Sequence, residues 1–234
     1  MQVRAIKTRV FKENENLLSF IFKHVKKIKG NSVLVVTSKI VALSEGRTTE
    51  YKNKEQKIKL IKKESDFVIK TKDVWLTIKD GMVLANAGID ESNAKGKIIL
   101  LPRDSFKTSD TLRKGIMKKF RLKNFGVLIT DSRLMPLRAG AVGIALGYAG
   151  FKGVKNYIGK KDIFGRVLKM SRTDVADSLA TGAVLCMGEG SEQQPLALIE
   201  DAPVEFVKKI NKNELKIDPK KDLYLPLFGS ILKK

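Results

Sequence analysis

A chain of 234 residues that is 43% hydrophobic can bury on the order of 70% of its unfolded surface, so it needs neither disulfides nor a structural metal to fold. One cysteine, Cys186, excludes an internal disulfide framework, and no run of about 18 apolar residues marks a membrane span. The 46 Lys and Arg against 25 Asp and Glu give a formal charge of +21, but the excess is lysine scattered along the chain, without the interleaved arginines and aromatics of a single-strand platform. A solvated, lysine-rich surface is therefore favoured over a nucleic-acid site. The N-terminal stretch MQVRAIKTRVFKENENLL lacks the apolar centre of a signal peptide, so the expected location is cytoplasmic, with no membrane partner.

Gln2 to Ile6 reads as a strand and Lys7 to Asn14 as a basic loop. Leu17, Leu18, Ile21, Val25 and Ile28 recur at intervals of three and four with lysines between them, which predicts an amphipathic helix over 17–29, stopped by Gly30. His24 has no Cys, His or acidic partner at ligand spacing and reads as a surface or boundary residue. Ser32 to Val36 is an apolar run of strand length. It hands over Thr37-Ser38-Lys39 before a short helical run, where helix-terminal amides and a lysine can cradle phosphate, although the glycines of a Walker loop are missing. The lysine-dense stretch from Tyr51 to Lys72 predicts a surface helix followed by a strand from Phe67 to Lys70. Trp75 to Ile78 and Met82 to Ala85 flank Lys79-Asp80-Gly81 as a hairpin, and the polar loop from Asn86 to Asn93 takes a structural role. Lys97 to Leu101 is a further strand. Pro102-Arg103-Asp104-Ser105 then precedes a helix with Leu112, Ile116, Met117 and Phe120 on its apolar face.

Gly126 to Thr130 reads as a short buried strand closed by Asp131 and Ser132. A carboxylate beside a hydroxyl at a strand end offers two hard oxygen ligands to a divalent cation. Pro136-Leu137-Arg138 and the glycines at 140, 143, 147 and 150 predict a turn and then a Gly/Ala strand in close contact with neighbouring chain. Asp162 to Arg166 is a turn between two strands. Ser171 to Leu185 is a helix opened by Ser171, with Asp174 at capping-box spacing, and the adjoining Cys186 is expected to be a small buried side chain. Gly188 to Pro195 sets two glycines and two carboxylates at a helix end before the strand Leu196 to Ile199. Such a loop binds a metal-nucleotide complex or merely turns the chain. The tail from Asn211 onward is basic.

Taken in order from Val33 to Ile199, VLVVTSKIV followed by EGR, ANAGIDESN, TDS with its Pro and Arg, RAGAVGIALG, DIFGR and VADSLATGAVLCMGEG resemble the coenzyme F420-0:gamma-glutamyl ligases. These are GTP-dependent enzymes that add glutamate to a deazaflavin coenzyme. The resemblance implies a mixed α/β fold of the family's own kind, with mixed sheets and flanking helices, in one domain over 1–234 or two intimately packed subdomains, and an intertwined homodimer. It implies GTP with Mg or Mn, L-glutamate and a small anionic acceptor whose carboxylate is activated as an acyl phosphate. Residue by residue, Ser38 and Lys39 match the nucleotide-contacting pair, and Gly188, Glu189, Gly190 and Ser191 match the nucleotide loop. Asp131 and Ser132 match the metal-binding pair, and Glu189 falls where the loop offers a metal ligand. No catalytic residue is singled out. The chain departs from the pattern at Leu43, where the family has lysine, at Arg133-Leu134-Met135, where it has Phe-Gly-Arg, and at Phe106, where an ungapped match expects a metal aspartate. Asp104 is the carboxylate that would replace that aspartate. Alternatives are a folate-type glutamate ligase, a catalytically degenerate nucleotide-binding homologue and, last, a nucleic-acid-binding module.

Overall fold

The computed structural model describes residues 1–228. In chain order it contains β1 (Gln2–Ile6), α1 (Leu17–His24), β2 (Ser32–Thr37), α2 (Ser38–Ser44) and a short β3 (Thr48–Thr49). Next come α3 (Lys54–Lys63), β4 (Phe67–Lys70), β5 (Trp75–Lys79), β6 (Met82–Ala85) and β7 (Ile98–Ile99). Then follow α4 (Ser105–Phe120), β8 (Phe125–Leu134), β9 (Ala141–Ala149), β10 (Val154–Asn156), β11 (Arg172–Asp174), α5 (Val175–Met187), β12 (Leu196–Glu200) and α6 (Leu225–Phe228). The fold class is mixed α/β, as the sequence predicts. Among the described residues no helix is long and apolar enough to cross a membrane.

The central sheet has the order β1-β12-β2-β8-β9. β12, β2 and the first six residues of β8 are largely apolar on both faces because both faces are covered. Leu34, Val36, Val127 and Ile129 pack with Leu17, Ile21, Leu112 and Ile116 of α1 and α4. Val33, Val35 and Leu128 point the other way, onto Ala176, Ala180 and Ala183 of α5. β2 and β8 are parallel, with Thr37 opposite Thr130, so Ser38-Lys39 and Asp131-Ser132 emerge side by side from one edge of this core. A separate antiparallel meander, β4-β5-β6, carries α3. Glu64 ties that meander to the rest, its Oε2 accepting from Arg47 Nη2 and from Lys79 Nζ at 2.8 Å each.

The glycine-rich β9 is the close-packed strand the sequence predicts. A Cβ on Gly143 would lie 2.4 Å from the Ala180 carbonyl oxygen of α5, and one on Gly147 would lie 2.5 Å from the Ser105 carbonyl carbon of α4. Between them, the pairing of β8 with β9 shifts at Ile129/Thr130, leaving Leu146 without a Cα partner. This bulge sits immediately before Asp131, a common place for one beside a functional group.

Several boundaries differ from expectation. The first helix ends at His24: Val25 is extended (φ −105°, ψ 99°) and donates its N–H to the Ile21 carbonyl. Val25 and Ile28 reach the core from irregular chain leading to β2, so their apolar spacing mimics a longer helix. The strand expected over 97–101 pairs only at Ile98–Ile99, against β3. The strand expected to close at Thr130 continues to Leu134, because Asp131 to Leu134 pair with β9. The turn at 162–166 forms, with Asp162 Oδ1 accepting from Phe164 N and Arg166 N, and it lies between two strands as expected: β10 and β11 pair antiparallel around it, with a further bridge between Lys161 and Val167 nearer the turn. The late helix starts at Val175, not Ser171: residues 172–174 are taken up by pairing with β10, and Asp174 caps the helix by accepting from Asp177 N at 2.9 Å. Cys186, expected to be buried, is exposed, because α5 buries Leu179, Ala183 and Met187 and turns the Leu185-Cys186 face to solvent. Of the basic tail, residues 229–234 lie outside the described residues.

Candidate functional site

The parallel pair β2 and β8 ends at a cleft of about 610 Å³. Its floor holds Ser38 and Lys39 from the start of α2 and Asp131 and Ser132 from β8. One wall is the loop from Gly188 to Pro195, and the other is the segment containing Asp90, Ser92 and Asn93. Apolar Val10, Phe11, Ile40 and Leu43 and the cationic Arg9 and Lys95 also line the cleft. The structure thus brings together Ser38, Lys39, Asp131, Ser132, Gly188, Glu189, Gly190 and Ser191, which stand far apart in the chain.

Local chemistry explains each wall. α5 ends at Gly188, whose N–H reaches the Val184 carbonyl and whose φ of 81° suits glycine. Any Cβ there would also strike the Glu192 carboxyl, at 2.4 Å. That carboxylate accepts the Gly190 N–H at 2.8 Å, and Glu189 Oε1 accepts the Ser132 hydroxyl at 2.5 Å, joining wall to floor. The far end of the loop is pinned where Thr8 N donates to Gln193 O and Thr37 N to Pro195 O. On the other side, a tight turn over 86–88 is set by Asn86 Oδ1, which accepts from Trp75 N, and by Thr77 Oγ1, which accepts from Ala87 N. The chain then exchanges two backbone bonds between Asp90 and Ile99, which carries the Asp90 side chain to Lys39. Lys39 Nζ lies 2.7 Å from Asp90 Oδ2, 2.9 Å from Ser92 Oγ and 3.1 Å from Ser92 O.

The electrostatics of the floor are uneven. Burial pushes the Asp131 carboxyl up to about 6, helped by the negative charge of Asp90 and opposed by the Ser132 backbone, the Ser38 hydroxyl and the Lys39 ammonium. Burial works on Asp90 in the same direction, but Lys39 and Ser92 outweigh it and hold that carboxyl below its usual range. A half-buried carboxylate that is costly to ionise gains from a cation.

Among the described residues no three or more His, Cys, Asp or Glu side chains form a metal cage. The donors present, Asp131, Glu189 and the Ser132 hydroxyl, are hard oxygens. They fit the way Mg²⁺ binds, through one or two carboxylates completed by water and substrate phosphates. Asp104 does not join them. It lies outside the cleft lining, caps α4 by accepting from Lys107 N at 2.8 Å, and has Lys212 Nζ at 3.7 Å. Phe106, at the position where the resemblance expects a metal aspartate, packs edge-on against Tyr148 with ring centres 5.3 Å apart. Leu43 lines the cleft.

Sequence reasoning missed two contributors. The 86–93 loop has the composition of an ordinary turn, and only the pairing of Asp90 with Ile99 turns its acidic residue toward Lys39. The segment from Thr8 to Phe11 lines the cleft with no sequence signal beyond basic loop composition.

Comparison with known proteins gives a consistent result. The family described as F420-0:Gamma-glutamyl ligase matches residues 5–201. A Coenzyme F420:L-glutamate ligase of Archaeoglobus fulgidus is 35% identical over 208 residues, covering 81% of this chain and 83% of the relative. The protein of that name from Methanosarcina mazei is 29% identical over 204 residues, covering 80% of each. The one from Methanococcus maripaludis strain C7 is 44% identical over 128 residues, which covers 55% of this chain and 51% of the relative. The match thus spans about half the length of the methanococcal relative.

Proposed function

The chain belongs to the F420-0:gamma-glutamyl ligase family, and from that premise we propose that it is a GTP- and divalent-metal-dependent ligase joining L-glutamate to the carboxylate of a small anionic acceptor of the deazaflavin type. The observation that carries this reading is the meeting of Ser38-Lys39, Asp131-Ser132 and Gly188 to Ser191 in one cleft. In this reading Lys39 and the amides at the start of α2 bind nucleotide phosphates, with the glycines of the 188–191 loop letting backbone approach them. Asp131, Glu189 and Ser132 would hold Mg or Mn, which supplies charge neutralisation on the transferring phosphoryl group. The acceptor carboxylate oxygen attacks the γ-phosphorus of GTP, the bond to the bridging oxygen breaks, GDP leaves, and an acyl phosphate forms. The glutamate amine then attacks the acyl carbon, a C–N bond forms, phosphate leaves with the C–O electron pair, and the amine loses a proton. The residues of the cleft bind and orient the reactants, which is most of what phosphoryl transfer asks of a protein.

A homodimer is part of the proposal. Leu137 in the turn between β8 and β9, and Ile163, Phe164 and Met170 in the arm between β10 and β11, are each at least 88% exposed. Apolar side chains displayed on two turns suit a second copy of the chain. A second reading, a homologue that binds nucleotide without transferring glutamate, is favoured by Phe106 standing in an aromatic cluster where a metal carboxylate is expected.

The test is ligand-linked stability. GTP with Mn at a hundredfold over its dissociation constant adds about 2.7 kcal/mol to the folded state and raises the melting temperature. No shift with any nucleoside triphosphate plus Mg or Mn at millimolar concentration contradicts both readings. A shift without glutamate transfer selects the second.

A further inference from the structure

We infer that Asp90, supported by Ser92, is a positioning residue that presets the Lys39 ammonium for phosphate, an inference that rests on the nucleotide reading of the cleft. Lys39 Nζ makes all three of its polar contacts with this one segment: an ion pair with Asp90 Oδ2 at 2.7 Å, and hydrogen bonds donated to Ser92 Oγ and Ser92 O. The segment is itself rooted. Asp90 exchanges both backbone hydrogen bonds with Ile99 of β7, and its Oδ1 accepts from Ser92 N at 2.6 Å. A lysine stem is long and flexible, and its head here is fixed by a peg on a different element from the helix that bears it.

The contact does more than glue two surfaces. The Lys39 and Asp90 side chains are 26% and 41% exposed, and half-exposed pairs contribute little to stability. They line the cleft instead, close enough that both charges act on the Asp131 carboxyl. Asp90 therefore restrains where the ammonium points and partly offsets its charge. Restraint favours the transition state, where charge develops on the phosphoryl oxygens, while the offset keeps ground-state attraction for the nucleotide modest.

This combination has a signature. Asp90→Asn keeps the shape of the segment and removes the charge, so GTP with Mn should bind unchanged or more tightly while kcat falls by about tenfold to a hundredfold, the scale of a misplaced contact. Asp90→Glu should restore part of kcat. A merely structural role instead lowers the melting temperature and weakens binding and turnover together. The experiment compares the full chain with D90N and D90E by GTP-Mn calorimetry, glutamate-transfer kinetics and melting. A fourth measurement follows acylation of Lys39 by a limiting amine reagent, read by peptide mass.

Loss of kcat with retained affinity, and several-fold faster acylation of Lys39 in D90N, support the inference. Unchanged kcat in D90N, or joint loss of affinity and melting temperature, overturns it. If the unaltered protein shows no GTP-Mn binding, the nucleotide reading has failed by itself. The acylation rates then decide whether Asp90 holds Lys39: equal rates in the parent and D90N overturn that too.

Discussion

The floor and the walls of the cleft are built differently. The floor continues from β2 and β8, where Val33 to Val36 and Val127 to Ile129 are fully buried, so Ser38 and Asp131 are held by a sheet covered on both faces. The walls, by contrast, are loops held by polar contacts: Glu192 to Gly190, Ser132 to Glu189, and Asp90 and Ser92 to Lys39. Rigidity carries a desolvation cost, visible in the raised Asp131 carboxyl. The loops bring charges that stay near water and are held by these polar contacts instead of by burial. In this chain the core places the floor, and polar contacts place the rim.

The comparison predicts that substitutions beneath the floor cost most. Gly147→Val puts a side chain where the nearest atoms are the backbone of Ser105 and Phe106, at 2.5 and 2.6 Å. Neither can swing away, so denaturant unfolding should show a loss of about 3 kcal/mol, in the upper range for overpacking. A loss below about 1 kcal/mol means that α4 slides off β9 easily and the floor is softer than described.

The attachment of the meander comes next. Glu64 is shared by Arg47 and Lys79, with all three side chains at most 18% exposed, so Glu64→Gln leaves two cations around a neutral amide and should cost about 2 kcal/mol. Equal stability of the variant would show that the meander holds by packing alone.

A pH series separates floor from wall. The Asp131 carboxyl is raised from 3.8 to about 6 by burial, and burial raises that of Asp174, the α5 cap, to about 6 as well. Between the unfolded and folded values each of these two groups binds more protons in the native state than in the unfolded chain, so the stability they contribute should fall as pH rises from about 4 to about 6 and level off above, against the opposite slope of carboxylates held low by cations, such as Glu64 and Asp90. Asp131→Asn should flatten its share of that slope without unfolding the protein, while Asp174 keeps the remainder. An unchanged slope would show that the floor carboxylate does not bear the burial cost. With GTP and Mn present, the same substitution should weaken binding, because the charge is what the cation needs.

The smallest effect belongs to the wall. A Cβ at Gly190 meets only the Glu192 carboxylate, at 3.4 Å, so Gly190→Ala should change stability by less than about 0.5 kcal/mol. A larger loss would mean that the wall is as tightly built as the floor.

The same division explains what the sequence reveals. Apolar runs such as Val33 to Val36 and Val127 to Ile129 announce buried strands by composition, and the polar residues that follow them stand out as strand exits. The parallel register that sets Thr37 beside Thr130 is a long-range pairing with no local signature. Asp90 looks like any turn residue until Ile99 pairs with it, and Cys186 looks buried until the face of α5 is fixed by its contacts with β9. Val25 and Ile28 keep helical spacing beyond the end of the helix because the core accepts them from irregular chain. At Asp104 the sequence offers a carboxylate near the expected position, and the structure uses it as a helix cap.

On the proposed reading, this cleft joins glutamate to an acceptor at the expense of GTP. Purified protein incubated with GTP, Mn, L-glutamate and a panel of deazaflavin and folate acceptors, with products read by mass, tests it most directly. The expected product is an acceptor heavier by one or more glutamyl residues, formed only with nucleotide and metal together and lost in Asp131→Asn. GTP-Mn binding without any glutamylated product across the panel would contradict it.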